Sequence, residues 1–133
     1  MFSVLKFLTQ SSQILKNDKT KKQMEQSAFQ HSKIYNLAEN IEYSAGSVVS
    51  KIITKNDTGN LTLFAFDKGQ GLSEHSAPFD AVIQVLDGEG EIFINKNSYI
   101  IKQGEMIIMP ANIPHAVFAK EKFKMLLTMI KGS

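Results

Sequence analysis

From residue 47 onward, apolar and polar residues alternate with a period of two, the spacing of strands that bury one face. Ser47–Thr54 (SVVSKIIT), Leu61–Asp67 (LTLFAFD), Ala81–Leu86 (AVIQVL), Glu91–Asn95 (EIFIN), Ser98–Lys102, Met106–Met109, His115–Lys120 and Lys122–Ile130 each read as a strand. Asn56-Asp57-Thr58-Gly59 is a turn between the first two. Asp87-Gly88-Glu89-Gly90 reads as the turn of a hairpin. Short strands in succession, with no helical stretch between them, predict an all-β sandwich or barrel. Within Ala81–Leu86, one face carries Ala81, Ile83 and Val85 and the other Val82, Gln84 and Leu86. Both faces are largely apolar, so this strand is expected to be covered on both sides.

Residues 1–32 follow another pattern and contain neither Gly nor Pro. Phe2, Leu5, Leu8 and Leu15 fall near one face at helical spacing, with Val4 and Phe7 beside them. Asn17 and Asp18 interrupt the pattern, and a second, more polar helix is expected over about residues 20–31. The chain therefore divides into a helical extension, 1–32, and a single β-domain, 33–131. The extension is expected to be a packing arm. Lys6 and Lys16 alone are too few for a basic membrane face.

Composition narrows the function classes. At 133 residues and 43% hydrophobic, the chain supports one domain with one core. Its net charge is +2, and all 15 basic residues are Lys. Without Arg there is no bidentate guanidinium contact to phosphate or guanine, so no nucleic-acid partner is expected. With no Cys, the chain has no disulfide, thiolate nucleophile, zinc–thiolate site or iron–sulfur cluster. No stretch approaches the roughly 20 apolar residues of a membrane helix. The first residues lack a small-residue cleavage site, and the missing Arg argues against a transit peptide, so a cytoplasmic protein is expected.

Two segments carry candidate chemistry. The first runs from Gly69 through His75, Ala77 and Ala81 to Gly88; the second runs from Gly104 through Pro110, Asn112 and His115 to Ala119. Their spacing resembles the paired motifs of the cupin superfamily. That family's first motif is G-x5-H-x-H-x3-E-x6-G. Gly69, His75 and Gly88 match it in register, while Ala77 and Ala81 replace the second His and the Glu. Its second motif is G-x5-P-x-G-x2-H-x3-N. Gly104, Pro110 and His115 match, while Asn112 replaces the Gly and Ala119 the Asn. The resemblance covers roughly residues 34–130. It implies a double-stranded β-helix, the jelly-roll barrel of that family, and a homodimer.

In metal-binding cupins, the two His and the Glu of the first motif and the His of the second hold the ion. Carried over, that set leaves His75 and His115 as candidate metal ligands, an incomplete pair. Catalytic zinc and iron centres usually have at least three protein ligands. The expected cofactor is a divalent transition metal (zinc, iron, nickel or copper) or none. Gln84 has the wrong parity from Ala81 to join the site without a bulge, and alternation aims Glu74 and Asp80 away from the lumen. The pocket is expected to be lined by Phe79, Ile83, Gln84 and Met109. Phe64, Phe66, Phe93 and Phe118 are expected in the core with Met106, Met125 and Met129, and His31 at the surface.

Three functions follow as expectations. The first is a barrel that binds a small organic ligand in its lumen. The second is a metal-dependent small-molecule enzyme of dioxygenase, isomerase or decarboxylase type, using His75 and His115 as metal ligands first and acid–base groups second. The third is a non-catalytic dimerisation scaffold. No catalytic residue and no substrate can be read from the chain.

Overall fold

The computed structural model describes residues 28–131. Nine strands follow in chain order: β1 (Val48–Asn56), β2 (Gly59–Phe66), β3 (Gly71–His75), β4 (Asp80–Asp87), β5 (Glu89–Ile94), β6 (Asn97–Lys102), β7 (Met106–Met109), β8 (His115–Phe118) and β9 (Phe123–Ile130). They form two antiparallel sheets. The larger has the order β1-β2-β9-β4-β7 and the smaller β3-β8-β5-β6. Among the described residues, the one helical element is a short 3-10 turn at Ala38–Asn40. Residues 28–31, the end of the expected second helix, form bends and a turn instead. The rest of that helix and the first one lie outside the described residues.

The period-two pattern sorts side chains between an inner and an outer face. Phe64, Phe66, Ile83, Ile92, Met109, Phe123, Met125 and Leu127 project between the sheets and form the main core. Phe66 stacks on Phe123 at 4.8 Å between ring centroids, and Phe64 on Phe66 at 5.8 Å. These offset contacts add to the apolar area removed from water. On the outer face of the larger sheet, Leu63, Ala65 and Leu126 are buried by an approaching segment that carries Phe29, Leu37, Ile41 and Tyr43. Three polar contacts hold that segment down. Lys51 Nζ donates to the Asn40 carbonyl at 2.8 Å, Lys124 Nζ to the Ala38 carbonyl at 2.5 Å, and the Tyr43 hydroxyl to Asp87 at 2.6 Å. Burial, reinforced by the Asp87 carboxylate, pushes the Tyr43 hydroxyl well above its usual pKa.

Several sequence expectations are corrected here. Asp87-Gly88-Glu89-Gly90 is not a hairpin turn, because β4 and β5 lie in different sheets and do not pair. The segment is a corner that carries the chain from one sheet to the other. Gly88 adopts φ 71°, and a Cβ there would lie 2.6 Å from the Lys122 carbonyl oxygen. A tight corner and a tight hairpin ask for the same residues, so composition alone does not separate them. Strand β3 has no legible alternation, because polar Ser73 and Glu74 are both exposed and mask it. Phe93 and Phe118 face outward from the smaller sheet, and Met106 outward from the larger; Phe118 is 39% and Met106 51% exposed. No helix among the described residues is long and apolar enough to cross a membrane.

Candidate functional site

His75 ends β3 and His115 begins β8, and the two are direct partners in the ladder between these strands. Simple alternation would not put His75 inside. Leu72 points inward opposite Val117, and His75, three positions on, should point out. The register shifts between Leu72 and His75, giving β3 one extra residue and turning His75 into the lumen. Both imidazoles are 3% exposed.

Each ring is oriented by a carbonyl two residues earlier. His75 Nδ1 lies 2.7 Å from the Ser73 oxygen, and His115 Nδ1 lies 3.2 Å from the Ile113 oxygen. A carbonyl only accepts, so both Nδ1 atoms carry the hydrogen. In their neutral forms both rings then present a lone pair on Nε2. Those two Nε2 atoms meet at 3.1 Å. The arrangement wants an electron-pair acceptor between them, a proton or a cation. Burial, and secondarily the charge of His75, lowers the His115 pKa from 6.5 to about 4.

Around this pair the motif positions fall as follows. Ala81 is 3% exposed and faces the lumen, and Ala77 packs beside the core. Asn112 adopts φ 64°, a left-handed conformation that Asn tolerates better than most residues, so it can stand where the family has Gly. Its N–H donates to the Ala77 carbonyl at 2.6 Å, tying the two motif loops together. Asp80 accepts from the Ala111 N–H at 2.8 Å and serves the same loops from outside. Glu74 is exposed and pairs with Lys96 at 3.4 Å. Of the expected pocket residues, Phe79, Ile83 and Met109 are buried in the core that surrounds the lumen. Gln84 is not part of it. It is exposed on the outer face, because Ala81, Ile83 and Val85 take the inner one. His31 is exposed.

Sequence reasoning missed two residues. Asn60 and Thr62 are 4% and 0% exposed, and with His75 and His115 they are the four buried polar residues among those described. They alternate with outward-facing Leu61 and Leu63, so they face the lumen from β2 with Phe64. Register places Asn60 opposite Met129, Met129 opposite Ala81, and Ala81 opposite Met109. Asn60 thus shares an inner-face row with the position that holds the family's Glu. The available signal was parity: Asn60 and Thr62 sit an even number of residues from Phe64.

Residues 62–131 match the model of the cupin domain. The chain belongs to the cupin superfamily. A conserved Streptococcus pyogenes protein of unknown function is 35% identical, with 79% of this chain and 92% of that one covered at a TM-score of 0.75. A cupin 2 conserved barrel domain protein from Leptotrichia buccalis is 46% identical at a TM-score of 0.71, over 73% of this chain and 47% of that one. This cupin thus spans about half the length of the Leptotrichia protein. A cupin superfamily protein from Desulfitobacterium hafniense is 26% identical at a TM-score of 0.74, over 78% of this chain and 95% of that one. No curated protein matches this cupin.

The site can be tested against the metal that many cupins hold. Imidazole nitrogens suit zinc, iron, nickel or copper, and the two Nε2 lone pairs converge as a chelating pair would. Beyond these two, the donor set fails. Ala77 and Ala81 present methyl groups, and the described residues contain no cluster of three or more His, Cys, Asp or Glu. The residues do not fit an ion held by the protein alone.

Proposed function

We propose that this cupin binds a small organic acid in its barrel lumen, with the acidic group held between His75 and His115. The observation that carries the reading is the approach of the two buried Nε2 atoms to 3.1 Å, each with its lone pair turned toward the other. Two converging acceptors inside a low-dielectric wall select a group that brings its own proton. A carboxylic acid or acidic enol does so, and the resulting charge stays paired. Phe79, Ile83 and Met109 offer apolar contact for the ligand body, and the Met109 thioether adapts to irregular shapes. Asn60 offers an amide for a second polar group.

Titration with benzoate and hexanoate as probes tests this, read by the imidazole nitrogen signals in proton–nitrogen correlation spectra. Saturable shifts of both Nε2 signals are expected. His75→Ala or His115→Ala should abolish binding, and Asn60→Ala should weaken it about tenfold, the worth of one hydrogen bond. Imidazole signals that do not move with millimolar probe would refute the reading.

A second reading, a metal-dependent enzyme, draws support from the same convergence. His75 and His115 would be the two residues that hold such an ion, which would act there as a Lewis acid. In that reading, substrate or water supplies the donors that Ala77 and Ala81 do not. Elemental analysis of protein purified without a metal column separates the two readings. Near-stoichiometric metal that disappears in the His75→Ala/His115→Ala double variant would favour the enzyme, and no metal after soaking with zinc, nickel and iron would retire it.

A further inference from the structure

The outer face of the larger sheet is only partly covered. The segment carrying Phe29 to Tyr43 closes over Leu63, Ala65 and Leu126. One step along the strands the cover thins: Leu61, Thr128 and Val82 are half-buried and Ile108 is exposed. The register sets Leu61 of β2 opposite Thr128 of β9, Thr128 opposite Val82 of β4, and Val82 opposite Ile108 of β7. All four stand on the outer face, because their neighbours Thr62, Leu127, Ile83 and Met109 are buried. They make one row across four adjacent strands, ~14 Å long at the usual strand spacing. Met106 and Ile130 flank the row. Met106 and Ile108 are each 51% exposed and Ile130 57%. The row ends at β7, the edge strand of the sheet. An apolar row running to an unpaired edge invites association unless something lies over it.

The chain outside the described residues starts beside this row. Phe29 packs against the covered cluster on this face, and so does Leu61, the first member of the row. Residues 1–27 therefore lead into the structure on this face. Their first part carries the apolar stripe of Phe2, Leu5, Leu8 and Leu15, with Val4 and Phe7 beside it. Ten residues of helix are ~15 Å long, the length of the row. Residues 17–27, fully extended, reach ~36 Å, against ~19 Å for the width of five strands. The row itself carries no charge, and neither does the stripe.

We propose that residues 1–16 lie across this row of their own chain, with Phe2, Leu5 and Leu8 against Val82, Ile108 and Ile130. The first segment is then the missing cover of the larger sheet and shields the β7 edge from a second copy.

The chain has no cysteine, so an introduced thiol is unique. In the full chain, Ile108→Cys should react with a maleimide about tenfold more slowly than Gln103→Cys, an exposed turn position, at every protein concentration. Adding Leu5→Lys and Leu8→Lys should raise it to the Gln103→Cys rate. Oxidised Leu8→Cys/Ile108→Cys should cross-link at the mass of a monomer, a readout that does not depend on the lysine variant folding. Equal rates in the full chain would overturn the proposal, because the row would be open. Protection that survives the two lysines or grows with protein concentration, or a cross-link at the mass of a dimer, would overturn it in favour of a second copy on the row.

Discussion

The His115 imidazole is 3% exposed, with its Nδ1 on the Ile113 carbonyl and its Nε2 against His75. Protonating it buries a charge beside a second ring, and its pKa falls from 6.5 to about 4. The consequence for stability has a definite sign. As pH falls through the ordinary imidazole range, the unfolded chain takes up this proton first, and the folded protein follows only near pH 4. The contribution is complete above pH 6.5, is lost between 6.5 and about 4, and levels off below. At ~1.4 kcal/mol per pH unit it amounts to at most roughly 3.5 kcal/mol. Urea titrations across that window should show the loss in the wild type and a flatter profile in His115→Leu. Equal slopes in both would mean that His115 is not the responsible group. The presence of the His pair was legible in the motif spacing; its tautomers were not. They depend on the Ser73 and Ile113 carbonyls, whose direction is set by backbone geometry that residue identity does not encode.

At the scale of elements, two irregularities place the site. One is the extra residue in β3, which turns His75 inward after two exposed positions. The other is the corner from β4 to β5, where the chain leaves one sheet for the other. Gly90, the second residue of β5, lies against the Phe123 ring, and a Cβ there would stand 2.5 Å from a ring carbon. Gly90→Ala should therefore destabilise by about 1–3 kcal/mol through overpacking, because the ring is fully buried and cannot swing away. A urea midpoint unchanged from wild type would show that the corner relaxes. Strands of both sheets were readable from their alternation. The corner was not, since its Gly-rich composition serves a hairpin equally well.

Across the whole molecule, the two sheets are joined through their shared core. Phe123 belongs to β9 of the larger sheet, stacks on Phe66 of β2, and covers Gly90 of the smaller sheet. Removing the ring opens a cavity between the layers. Phe123→Ala is expected to cost about 3–5 kcal/mol. Denaturation should stay a single transition with its midpoint lowered, since the sheets share one core. Two separate transitions would mean that the sheets unfold independently.

The amino-acid order by itself determined the all-β class, most of the strand positions and the pair of histidines at family spacing. It also excluded thiolate and guanidinium chemistry, because those residues are absent. Only the tertiary structure decided which way each strand faces and with which it pairs. Gln84 lies outside, Phe93 and Phe118 lie on an outer face, and Asn60 and Thr62 line the lumen. The physical reason is that a period of two fixes the relation between neighbours within a strand. Which of the two faces meets the core, and whether a bulge reverses it, depends on partners far along the chain, as with His75 and His115, 40 residues apart.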